Sequence, residues 1–126
     1  MGPIRILLVD DNDVFREALE LLLGLRPDME VVGSARDGGE AVDACRKHRP
    51  DVVLVDYRLP SLDGVQTTTA LREICPATSV ICLTASISSA EERAILDAGA
   101  VACLSKDQEL DTMVDAIREA AASSLS

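Results

Sequence analysis

Apolar residues along this chain follow two patterns in turn. Short runs are apolar almost without a break, and between them apolar positions recur every three or four residues. The first run is Ile4-Arg5-Ile6-Leu7-Leu8-Val9, and a nearly continuous β-favouring run reads as a strand covered on both faces. It stops at Asp10-Asp11. Phe15, Ala18, Leu19 and Leu22 then share one face of a helix. Asn12 can cap its start and Gly24 can end it. Residues 29–35 form a second strand. Asp37 with Glu40 has N-cap spacing for a helix over 38–48, whose apolar face holds Ala41, Val42 and Cys45. After Pro50 comes Val52-Val53-Leu54-Val55, a strand ending at Asp56. A loop over 57–64 leads to a third helix over 65–74, closed by Pro76. Residues 79–83 are a fourth strand. Ser88 and Glu91 make a capping box for a fourth helix that ends at Gly99. Residues 101–104 are a fifth strand, and Leu110, Met113, Val114 and Ile117 mark a fifth helix. From 120 the chain turns small and polar, the pattern of a fraying end.

Five strands alternating with five helices mean an α/β domain with a parallel sheet covered on both sides. The right-handed crossover rule leaves few topologies. The doubly wound, flavodoxin-like (βα)5 arrangement with strand order 2-1-3-4-5 is the natural one, and its ligand crevice opens at the carboxyl ends of strands one and three. A length of 126 residues makes one domain, expected over 1–120, with 121–126 a tail or the start of a linker.

Composition narrows the chemistry. Hydrophobic residues make up 48%, which excludes disorder. With one Phe, one Tyr and no Trp the core is aliphatic, and there is no stacking platform for single-stranded nucleic acid. A formal charge of −10 repels phosphate backbones and anionic membranes, so neither nucleic acid nor membrane is an expected partner. Acid in excess suits a cation or a basic partner. Cys45, Cys75, Cys82 and Cys103 form no C-x-x-C pair, and His48 is the single histidine, so zinc has little support. Four thiols in apolar stretches read as small buried hydrophobes in a reducing cytoplasm, the expected location. No secretory signal is visible.

The polar residues are informative for where they fall. Asp10 and Asp11 end strand one, Asp56 ends strand three, Thr84 ends strand four, and Ser105 and Lys106 end strand five. In the order 2-1-3-4-5 those strands are consecutive neighbours, so these groups meet on one rim. Each alone is only a polar end to an apolar strand. Together, three carboxylates in one crevice must be protonated or bound to a cation. Oxygen donors alone favour Mg²⁺, with Mn²⁺ as the alternative. A hard divalent ion beside a carboxylate, a hydroxyl and a Lys is equipment for phosphoryl transfer, with the carboxylate as nucleophile. Rival motifs fail. There is no phosphate-binding G-x-x-x-x-G-K-[ST] and no G-x-G-x-x-G after strand one. Asp11-Asn12-Asp13 opens like a Ca²⁺ loop but has Arg16 where that loop needs Gly. No Ser-His-Asp set assembles around His48.

The run Leu7-Leu8-Val9-Asp10-Asp11 is followed by the segment from Val53 through Asp56 to Asp63-Gly64. Leu83-Thr84-Ala85 comes next, then Gly99-Ala100 and Leu104-Ser105-Lys106. This ordered set resembles the receiver domain of two-component response regulators over about residues 4–120. Val31-Val32-Gly33-Ser34-Ala35 and Arg49-Pro50-Asp51-Val52 resemble its NarL/FixJ type, in which the receiver precedes a LuxR-like helix-turn-helix. The resemblance implies that Asp56 is the phosphoacceptor. Asp11, Asp56 and the Arg58 carbonyl would bind Mg²⁺, with Asp10 acting largely through water, and Thr84 and Lys106 would contact the phosphoryl group. It implies a phosphohistidine donor on a sensor histidine kinase or phosphotransfer protein, small acyl phosphates as substitutes, and a homodimer as an assembly. Such a domain catalyses only its own phosphorylation and dephosphorylation and is not a turnover enzyme. Its output, transcription through a helix-turn-helix, would need residues this chain does not contain. Two other classes stay open: a degenerate receiver acting as an interaction module, and a metal-dependent phosphatase, for which the loops are too short to form a cap. One position departs from the family. Cys103 stands three residues before Lys106, where an aromatic switch residue is usual, and this bears on how a signal leaves the site.

Overall fold

The computed structural model describes residues 2–124. Its elements run β1(Ile4–Val9), α1(Asp13–Gly24), β2(Met29–Ala35), α2(Gly38–His48), β3(Val52–Asp56), α3(Gly64–Ile74), β4(Ser79–Thr84), α4(Ser89–Asp97), β5(Ala102–Ser105) and α5(Leu110–Ser124). The strands make one parallel sheet in the order β2-β1-β3-β4-β5. This is the doubly wound arrangement that the alternation predicts.

The unbroken apolar runs follow from burial on two faces. Successive strand residues point to opposite sides. Ile6, Leu8, Leu54, Ile81 and Leu83 pack on one side with Leu19, Leu23, Met113 and Ile117 of α1 and α5. Leu7, Val9, Val53, Val55, Val80 and Cys82 pack on the other with Ala41, Cys45, Leu71 and Ile95 of α2, α3 and α4. Each fully buried aliphatic side chain contributes about 1.5–3 kcal/mol.

The helix starts obey their caps. Asn12 accepts from the Phe15 amide at 3.0 Å and Asp37 from the Glu40 amide at 2.8 Å. Ser88 and Glu91 form the expected capping box, and Asp63 with Gln66 forms one that the sequence reading passed over. Gly64 has a steric reason to be Gly. A Cβ there would stand 2.7 Å from the Tyr57 Cα, in the loop that returns from the end of β3 to the start of α3.

Two expectations are corrected. The buried face of α1 is Arg16, Leu19 and Leu23, while Ala18 and Leu22 are exposed. Arg16 is drawn inward by polar partners at the end of β1, which turns the helix away from the purely apolar stripe. The small residues 120–124 do not fray. Residues 120–124 continue α5, and Ala120 and Ala121 are buried in the core because small side chains let the helix end close to β4. The Ser79 hydroxyl donates to the Ala120 carbonyl at 3.1 Å. Residues 125 and 126 of the expected tail lie outside the described residues.

Candidate functional site

At the carboxyl rim of the sheet the three carboxylates come together. Asp10, Asp11 and Asp56 each offer an oxygen, and these atoms lie within 4.8 Å of one another. Asp10 and Asp56 are buried and Asp11 is exposed. The backbone explains the convergence. Val9 at the end of β1 pairs with Val55, one residue before Asp56. The Asn12 amide donates to Asp10 at 2.9 Å and the Arg58 amide to Asp56 at 3.1 Å. Arg16, buried beneath, donates to the Asp10 carbonyl at 2.8 Å and to the Asp13 carboxylate at 2.7 Å. It holds the turn that carries Asp10 and Asp11.

Lys106 enters this cluster from the end of β5. Its ammonium is 2.7 Å from Asp10 and 3.2 Å from Asp56, over the Phe15 ring at 4.5 Å from the centroid. Burial opposes its charge, but the hydrogen bond to Asp10 and the field of both carboxylates outweigh burial and raise its pKa. Asp56 is affected the other way. Burial, with the Asp10 charge added, holds its carboxyl above the usual range despite Lys106 and the Arg58 amide. The pairing with Lys106 therefore favours the charged Lys and only partly offsets what burial and Asp10 do to Asp56.

Thr84 is buried at the end of β4, but its hydroxyl does not reach toward Asp56. It donates to the Ser86 carbonyl at 3.0 Å and accepts from the Ser86 amide at 3.3 Å, closing a turn within its own loop. The Lys106 amide donates to the Thr84 carbonyl at 2.9 Å, so the two strand ends are tied through backbone. The Ser105 hydroxyl accepts from the Asp107 amide at 3.1 Å and is turned to its own chain.

The sequence profile of the family described as Response regulator receiver domain matches residues 6–118. The chain belongs to this family. It is a receiver domain, the phosphorylation-accepting part of response regulators. It is 39% identical over 114 residues to the transcriptional regulatory protein LnrK of Bacillus subtilis, covering 90% of this chain and 52% of that protein. It is 36% identical to the nitrate/nitrite response regulator NarP of Escherichia coli, covering 94% of this chain and 55% of that one. The chain thus spans about half the length of these curated relatives. Among solved structures, the signal receiver domain of the putative response regulator NarL from Mycobacterium tuberculosis superposes with a TM-score of 0.90 at 35% identity, covering 96% of this chain and 98% of that chain. Among the described residues no helix is long and apolar enough to cross a membrane.

In this receiver Cys103 borders open space. Cys103 is half-buried beside Cys82, its register partner on β4, and packs with the side of the sheet that faces α4. Thr84, Ser86, Ile87, Glu92 and Cys103 line an open cavity of about 350 Å³. Burial raises the thiol pKa at Cys103 and Cys82 and pushes Cys45 up to about 12. Neutral thiols of this kind are poor nucleophiles and poor ligands, as the reading of them as small hydrophobes expects.

Sequence reasoning missed four residues that shape this receiver's site. Arg16 interrupts an apolar helix face, which was a usable signal. Phe15 was read only as core. Tyr57 and Glu91 were read as a loop residue and a cap. The Glu91 contact to Arg58 joins positions 33 apart and leaves no local pattern.

Proposed function

We propose that Asp56 is the phosphoacceptor of this receiver, taking a phosphoryl group from a phosphohistidine of a sensor histidine kinase or phosphotransfer protein, or from a small acyl phosphate. The observation that carries this reading is three carboxylates within 4.8 Å of one another with Lys106 in contact with two of them. The donor set consists of hard oxygen atoms that crowd one another, which fits Mg²⁺, or Mn²⁺, held by Asp11, Asp56 and the Arg58 carbonyl with Asp10 behind. When bound, the ion supplies the positive charge that lets a phosphoryl group approach three carboxylates.

A carboxylate oxygen of Asp56 attacks phosphorus. The bond from phosphorus to the donor nitrogen or oxygen breaks, and its electron pair stays on the donor, which picks up a proton if it is an imidazole. Lys106 lies where it can follow the charge from the Asp56 carboxylate to the phosphoryl oxygens. Thr84 turns its hydroxyl from Ser86 to a phosphoryl oxygen. Hydrolysis of the acyl phosphate returns Asp56. The domain thus catalyses its own phosphorylation and dephosphorylation and nothing further. Intact Asp10, Asp11, Asp56, Thr84 and Lys106 support this over a receiver that acts only as an interaction module.

The name of LnrK, a transcriptional regulatory protein of which this chain covers 52%, supports an output through transcription; the helix-turn-helix, the cytoplasmic location and the pairing with a second copy are what the resemblance implies. Incubation with acetyl phosphate and Mg²⁺ should add one phosphate by intact mass, Asp56→Asn should add none, and chelation should stop the reaction. Equal labelling of Asp56→Asn would remove Asp56 as the acceptor.

A further inference from the structure

Resting on the phosphoacceptor reading, we propose that the Arg58 guanidinium is a second cationic arm for the phosphoryl group, held in reserve by Glu91, and that its transfer from Glu91 to the phosphoryl group frees the start of α4. The Arg58 amide already touches the Asp56 carboxylate at 3.1 Å. Rotation about its own side-chain bonds is therefore enough to bring the guanidinium to a group on Asp56. At rest that guanidinium lies 3.3 and 3.5 Å from the two Glu91 oxygens and 5.5 Å from the centre of the Tyr57 ring.

These contacts are long and largely solvated: the Arg58 side chain is 62% exposed and Glu91 31%. An exposed pair of this kind shifts an equilibrium by a factor of up to about five. A phosphoryl group offers a charge approaching −2 and three acceptor oxygens, and Arg binds such oxygens in a planar two-point geometry. The phosphoryl group therefore outbids one carboxylate in water. Lys106 does not compete for Glu91, since it is engaged by Asp10 and Asp56.

Glu91 is what joins this exchange to α4. Its carboxylate accepts from the Ser88 amide at 3.0 Å while its own amide donates to the Ser88 hydroxyl at 3.1 Å. Arg58 is the cation that pairs with Glu91 among the described residues, and Glu91 and Glu92 make the first turn acidic. Once Arg58 leaves, the Glu91 carboxylate keeps its cap contact to the Ser88 amide, and the acidic first turn of α4 has lost the cation that ties it to the loop after β3. Glu92 lines the cavity beside Cys103, so there is room for the turn to move.

Glu91→Gln is the clean variant, because Gln serves equally at this position of a capping box while the charge that holds Arg58 is removed. Beryllofluoride with Mg²⁺ is the phosphoryl mimic, and backbone amide shifts give both affinity and movement. In the unaltered chain the amides of Ser88, Ser89 and Ala90 should shift on binding. Glu91→Gln should bind about two- to five-fold tighter. Arg58→Gln should bind more weakly and lose the shift at Ser88–Ala90, and adding Glu91→Gln to it should bring no gain. Binding by the unaltered chain with those amides unmoved, or equal affinity in Glu91→Gln, overturns the relay and leaves Asp56 as acceptor. No binding by the unaltered chain overturns both.

Discussion

The two halves of the rim differ in how firmly they are built. Around β1 and β3 the carboxylates are held by backbone amides at 2.9 and 3.1 Å, braced by buried Arg16 and bound by Lys106. Beneath them Leu8, Val9, Leu54 and Val55 are almost wholly buried. Around β4 and β5 the Thr84 hydroxyl bonds, among the described residues, to its own loop, every residue of β5 is half-buried, and an open cavity of about 350 Å³ is lined by the loop after β4, Glu92 of α4 and the end of β5. On the proposed reading, the charge that reacts is fixed and the segment that reports is left with room. A charged cluster needs preorganised partners to keep its geometry, whereas a moving element must come from the less stable parts of a fold.

Truncations beneath each half test this most severely. Leu54→Ala should cost about 2–5 kcal/mol of stability by urea unfolding, while Cys103→Ala should cost less than about 1 kcal/mol, since Cys103 already borders open space. Equal losses would mean that the β5 side is as tightly packed as the centre.

Labelling by acetyl phosphate separates the halves in a second way. Lys106→Ala should slow phosphate incorporation by about 100- to 1000-fold, the usual effect of removing one group that stabilises developing charge. Cys103→Ala should leave the rate within about two-fold. A slow Cys103 variant would place the β5 cavity inside the reaction.

Adding volume is the converse test. Cys103→Phe projects into the cavity and should change stability by less than about 1 kcal/mol, whereas Cys82→Phe has no such space and should cost about 1–3 kcal/mol. Thermal melts of both, with and without Mg²⁺, would decide it.

The smallest effect depends on pH. Because burial and Asp10 raise the folded pKa of Asp56, the native state keeps that proton to a higher pH than the unfolded chain does. Without metal, stability is therefore lost as pH rises from the ordinary carboxylate range, about pH 4, through the raised value. Asp56→Asn removes the titration. Its melting temperature should exceed that of the unaltered chain by a few degrees near neutral pH, and the gap should close as pH falls below the ordinary range. A constant gap would assign the effect to packing.

Legibility followed the range of the interaction. Val52-Val53-Leu54-Val55 reads as a strand because both neighbours of every residue are buried, and Ser88 with Glu91 reads as a helix start because a cap is a three-residue device. Arg16 shows the limit. Its inward turn depends on the Asp10 carbonyl and Asp13, and an amphipathic count that looks only for apolar residues sets the face one step wrong. Ala120 and Ala121 show another. Small residues mean looseness in solution and closeness against β4, and their letters are the same in both cases.

Taken alone, the order of the residues determined the alternation of strands and helices, the parallel sheet, and the set of groups at the strand ends. These depend on period, caps and crossover handedness, which are local or nearly so. The tertiary structure decided which of those groups touch. It put Lys106 closer to Asp10 than to Asp56, turned the Thr84 hydroxyl toward Ser86, opened a cavity at Cys103, and set Arg58 against Glu91. Each of these rests on how far one backbone end stands from another and on which competing partner is nearer, and spacing along the chain carries neither quantity.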